Sequence, residues 1–133
     1  MIALALTLGL TMAFAVAGAH SMDKGGKVKK VTLTGTLVDV ACYLDDGDAG
    51  NDHMGMKKCG TECLKGGSPA GLLVDKKLYI LAFPASVFAD YVGQKVEVTA
   101  DVFGDTNLIP TAANSFDKDG KKKKINVKGK AMM

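Results

Sequence analysis

Residues 31–42 read VTLTGTLVDVAC, and the parsing of this stretch decides the fold. Val31, Leu33, Gly35 and Leu37 alternate with Thr32, Thr34 and Thr36, so an extended strand here has one apolar face and one hydroxyl-bearing face. After Leu37 the apolar set moves to Val38, Val40 and Cys42. In a period-two pattern such a shift means that the strand bends or becomes buried on both sides, with Gly35 the natural bend point.

Further along, Gly71–Val74 and Leu78–Phe83 are apolar runs around Asp75-Lys76-Lys77, the pattern of a hairpin. Lys95–Phe103 alternates, with Val96, Val98, Ala100 and Val102 facing inward, and Gly104-Asp105 supplies the next turn. Thr106–Phe116 reads as a last strand in which Pro110 marks an edge or bulge. Between the third and fourth strands, a short helix is expected from Ser86 as cap, the i, i+4 pairs Val87/Tyr91 and Phe88/Val92, and Gly93 as stop. Three strands, a short helix and two strands predict an all-β fold with short helices, an OB-fold-like five-stranded barrel over residues 31–116. A cupredoxin-like sandwich would need more strands than the pattern offers.

Residues 44–70 break the pattern. They lack strand periodicity, are rich in Gly, Asp and Lys, and read as a long insertion after the first strand. Within it, His53–Leu64 is expected to form a short helix with Asp52 as cap and Lys57, Lys58 and Lys65 toward its C-terminal end, closed by Gly66-Gly67-Ser68-Pro69.

Ile2–Ala17 is almost wholly apolar and uncharged and is followed by Ala17-Gly18-Ala19, which predicts a signal peptide over 1–19 cleaved after Ala19. The run is shorter than a membrane span requires, so no stable span is expected after cleavage, and the protein is expected to be periplasmic or secreted. Residues 20–30 read as a flexible lead-in. Residues 117–133 form a lysine-rich end, with Lys121–Lys124 expected to be a solvated surface and Ile125–Val127 a candidate extra strand.

All 17 basic residues are Lys, against 14 acidic ones, for a net charge of +3. A mild charge without the bidentate Arg fork argues against specific nucleic-acid recognition.

The concentrated chemistry lies in the insertion. An odd cysteine count, 3 in all, leaves one thiol over if disulfides alone explain it. Cys59 and Cys63, spaced i to i+4, share a helix face on successive turns, where a common cation is easier to hold than a disulfide. Adding Cys42 and His53 gives a Cys3His set, a tetrahedral zinc arrangement that accounts for every cysteine. Met54 and Met56 are candidate further donors whose thioethers would favour copper(I). Asp45, Asp46, Asp48, Asn51 and Asp52 look calcium-like, but Lys57 stands where an EF-hand loop counted from Asp46 needs its closing Glu.

Cys59-Gly60-Thr61-Glu62-Cys63 resembles the C-x3-C pair of binuclear copper sites in oxidases and of copper-delivery proteins, although the His that follows in the oxidase motif is replaced by Gly67. The longer pattern resembles small exported bacterial OB-fold-like proteins of uncharacterised function with a Cys...His...CxxxC insertion. It comprises Gly35–Asp39, Cys42, His53, Cys59, Cys63 and Pro69, followed by OB-like strands. That resemblance implies a preserved Cys/His site without assigning its use.

The expectation is therefore an exported, non-enzymatic domain holding one zinc or copper ion through Cys42, His53, Cys59 and Cys63, with another exported protein as a candidate partner. The alternative is a disulfide-stapled OB-type module that binds a protein or small ligand without metal. Cys-His catalysis has no third group or oxyanion donor to support it.

Overall fold

The computed structural model describes residues 28–128; the expected signal peptide, its cleavage point and most of the lead-in lie outside them. The strand predicted from VTLTGTLVDVAC is β1 (Lys29–Asp39), which extends to Lys29 and so takes in the end of the expected lead-in. Thr32 and Thr34 are exposed, Val31 and Leu33 half-buried, and Leu37, Val38 and Asp39 all buried, so the strand does become buried on both sides.

The burial of its end accompanies a change of partner. Residues 29–36 pair antiparallel with β4 (Lys95–Phe103), and Thr36–Asp39 pair with β2 (Ala70–Val74). Gly35 sits at the changeover, where a Cβ would stand 2.4 Å from the Leu73 carbonyl oxygen, closer than any side chain can approach.

β2 continues by hairpin into β3 (Lys77–Leu81), and β4 pairs with β5 (Asn107–Phe116). A short parallel contact between β3 and β5, Ile80 opposite Asn107 and Leu81 opposite Leu108, closes the five strands into an OB-like barrel. The register between β4 and β5 slips at Thr99/Ala100, beside Pro110, which is the bulge that proline foretells.

The segment between β3 and β4 differs from expectation. It forms two 3-10 turns, Ala85–Val87 and Ala89–Tyr91, entered from Pro84, and Ser86 makes no cap. The apolar spacing still serves its purpose, because Phe88 and Val92 are buried and plug the barrel beside Leu37, Leu72, Val96, Val98 and Leu108.

The extra strand expected at Ile125–Val127 is present in the lysine-rich end but lies earlier. Lys122–Ile125 forms β6 on the edge of β5, and Ile125 and Val127 are buried in the core. Lys122–Lys124 are solvated, as the charge run implies, while the apolar residues just after them anchor the strand.

Candidate metal centre

β1 ends at a buried Asp39 and the chain turns directly into α1 (Val40–Asp46). Asp39 is its N-cap, accepting the Ala41 N–H at 3.0 Å through Oδ1, and Gly47, in the left-handed region, stops the helix. Cys42 therefore stands on the first turn of a helix and not at a strand end, and the insertion begins at Val40. The alternation of Val38, Val40 and Cys42 imitated a strand, and seven residues are too few to show helical periodicity.

The second helix is α2 (Cys59–Lys65), shorter than the predicted 53–64. Its start is delayed because His53 and Met56 exchange backbone hydrogen bonds across a tight turn with positive φ at Met54 and Gly55. Asp52 accepts the Lys58 N–H at 2.8 Å, just outside the helix, so it acts near the helix start without being its cap. Cys59 consequently lies at the first residue of α2 and not within the helix expected over 53–64.

Polar clamps set the position of α2. Asn51 Oδ1 accepts the Thr61 N–H at 2.8 Å, its Nδ2 donates to Thr61 Oγ1 at 3.0 Å, and the Thr61 hydroxyl donates to the Ala89 carbonyl at 2.9 Å. Gly60 lets the helix approach the barrel, since a Cβ there would fall 2.6 Å from Val92 Cγ1. Leu64 is buried in the main core.

These placements gather the predicted donors around Cys42, with His53 and Cys63 in two different groups. The Sγ atoms of Cys59 and Cys63 are 4.0 Å apart, the i, i+4 geometry expected of one helix face. One ligand atom each from Cys42, His53 and Cys59 lie within 4.8 Å of one another, and so do those of Asp39, Cys42 and Cys63. The three sulfurs are thus pairwise within 4.8 Å. Two sulfurs on one tetrahedral zinc, each at about 2.3 Å, stand about 3.8 Å apart, close to the Cys59–Cys63 separation, whereas a disulfide needs about 2.05 Å. All three cysteines are free thiols.

Asp39 is the donor the sequence reading missed. Only 2% exposed, it accepts hydrogen bonds from Ser68 Oγ and Ala41 N on Oδ1 and from the Cys42 thiol on Oδ2 at 3.1 Å. Burial raises its pKa, but the bonds from Ser68, Cys42 and Ala41 outweigh this and hold it below the usual carboxylate value. Its signal was the N-cap position before Val40, which the strand reading hid.

His53 is 6% exposed, and its Nε2 lies 2.5 Å from Asp46 Oδ2. That nitrogen is buried, and its contact with Asp46 is short without the alignment of a regular hydrogen bond. The Asp46 contact, aided by the charges of Asp48 and Asp45 and opposed by burial, lifts the imidazole pKa above its ordinary value. Asp46 and Asp48 otherwise serve local turns, accepting the N–H groups of Asp48 and Gly50. Met54 and Met56, 80% and 56% exposed, flank His53 at the surface.

Burial, then the hydrogen bond and charge of Asp39, push the Cys42 thiol up to about 12. Burial and the neighbouring Cys59 and Asp39 raise Cys63 as well. Without a cation both are protonated at neutral pH, which makes them poor nucleophiles, and a metal ion must displace their protons. A clustered S, N and O donor set with a buried, unaligned imidazole nitrogen fits a transition-metal ion.

Among the described residues, no helix is long and apolar enough to cross a membrane. No family model matches the chain, and neither a curated protein nor a solved structure does.

Proposed function

We propose that this is an exported metal-binding domain that holds zinc or copper(I) through Cys42, His53, Cys59 and Cys63. The observation that carries the reading is the clustering of three sulfurs pairwise within 4.8 Å, with a His53 nitrogen within the same reach of Cys42 and Cys59. A Cys3His set is a closed tetrahedral zinc arrangement, and a group of thiolates is equally congenial to copper(I). Export is supported by the apolar run before Ala19 and by the small residues that end it.

Bound metal would join the two helices of the insertion, since Cys42 belongs to α1, which follows β1 directly, and Cys59 and Cys63 belong to α2. The metal's role, stapling or cargo, divides on Met54 and Met56. Zinc stapling leaves affinity indifferent to Met54→Leu and Met56→Leu, whereas copper(I) carried as cargo would be held more weakly once a thioether is removed. The test is elemental analysis of the protein purified without added metal, followed by affinity measurements for both ions on these variants. Absence of stoichiometric zinc or copper, with two of the three thiols joined, would replace the metal centre with a disulfide-stapled binding module.

A further inference from the structure

The cluster holds five donors, one more than a tetrahedral ion uses. They fall into two triads that share Cys42: one contains His53 and Cys59, the other Asp39 and Cys63.

Asp39 is arranged as ligating carboxylates are. Ser68 and Ala41 fix its Oδ1, leaving Oδ2 directed at the Cys42 sulfur, whose thiol proton it accepts, with the Cys63 thiol also beside the carboxylate. N-capping of α1 uses Oδ1 alone, so the cap does not explain where Oδ2 points. If a single ion occupied the Cys3His donors, the Cys42 proton would leave. A half-buried thiolate and a buried carboxylate oxygen would then face each other at 3.1 Å with nothing between them. A cation in place of that proton removes the conflict.

Resting on the metal-binding reading above, we propose that the site takes two divalent cations bridged by the Cys42 thiolate. One is held by Cys42, His53 and Cys59, the other by Asp39, Cys42 and Cys63. The charge balance agrees: three thiolates and Asp39 supply four negative charges, which two divalent ions neutralise and one does not. The three thiol protons pass to solvent as the ions bind, and no electron transfer is involved.

The test uses the full protein, reduced and stripped of metal, titrated anaerobically with Co(II) while the sulfur-to-metal absorption is followed, and with Zn(II) under native mass spectrometry. The expected result is two ions per chain, the second equivalent still altering the sulfur-to-cobalt bands. Asp39→Asn, which keeps an oxygen for the cap, should bind one. Should that variant fail to fold, His53→Ala decides the matter by retaining one thiolate-bound ion. Saturation of the wild-type protein at one ion would overturn the two-ion centre while leaving the Cys3His site intact. A second ion that leaves the sulfur bands unchanged would also overturn it, as would two ions in Asp39→Asn. No binding at all would overturn both readings.

Discussion

The barrel and the insertion are held by different physics. The barrel is a continuous apolar core in which Leu37, Leu72, Phe88, Val96, Val98 and Leu108 are fully buried. The insertion, residues 40–69, contributes Leu64 to that core and is otherwise fastened by directed contacts. These are Asn51 to Thr61, Asp39 to Ser68 and Cys42, and Val40 N–H to the Pro69 carbonyl. Non-directional burial tolerates drift, whereas directed contacts fix atoms, and fixed atoms are what metal ligands require. The difference teaches that the barrel should stand without metal and that the insertion should not stay ordered without it.

The largest effect should come from breaking the barrel. Phe88→Ala empties a fully buried site packed edge-on against Phe83 and should cost about 3–5 kcal/mol by chemical denaturation. Metal binding should disappear only as the whole domain unfolds.

Loss of Cys42 acts in the other direction. Cys42→Ser should weaken metal binding by more than about 100-fold, beyond what loss of an outer partner costs. Stability of the metal-free barrel should change by under about 1 kcal/mol. Hydrogen exchange should show residues 40–69 loosened while β1, β4 and β5 keep their protection. Equal loosening of both regions would show that they are one unit.

pH sharpens the same contrast. Cys42 and Cys63 have raised pKa values and are protonated in the metal-free protein at neutral pH, so each proton displaced makes affinity fall as pH falls. These two protons alone amount to about 100-fold per pH unit between pH 8 and 7, with His53 adding to the slope below its own raised pKa. Isothermal titration in two buffers of different ionisation enthalpy measures the proton release directly. A flat profile would contradict thiolate ligation.

Asn51→Ala leaves the Thr61 N–H without its acceptor and should cost about 1–3 kcal/mol, felt mainly as lowered metal affinity through a displaced α2. Smallest of all, Lys123→Gln on the solvated face of β6 should stay within about 0.5 kcal/mol and leave metal binding unchanged.

Sequence legibility follows the same division. β1, its burial on both sides after Leu37, the β2–β3 hairpin and the bulge beside Pro110 could be read because alternation and turn chemistry are local signals. Their closure into a barrel followed from the order of elements. Cys42, His53, Cys59 and Cys63 could be singled out by type and spacing, and the structure sets Cys42, His53 and Cys59 within 4.8 Å of one another and Cys63 within reach of Cys42 and Cys59. Their elements were not legible. α1 hid behind a strand-like alternation, and the turn at Met54-Gly55 delayed α2 to Cys59 because it depends on a backbone conformation that Met seldom adopts. Asp39 escaped notice because a carboxylate becomes a metal donor only through what the fold sets beside it, here Cys42, Cys63 and Ser68. The extra strand expected at Ile125–Val127 begins earlier, at Lys122, because the lysines before Ile125 pair with the edge of β5.

The most direct measurement is a combined count of thiols and metal on one sample, purified from its producing cells without added metal. The protein is denatured anaerobically with a chelator, and thiols are titrated with and without reductant. A metal centre requires three reactive thiols in both cases, together with stoichiometric zinc or copper. One thiol before reduction and three after, with no stoichiometric metal, would contradict it and leave a disulfide-stapled module in its place.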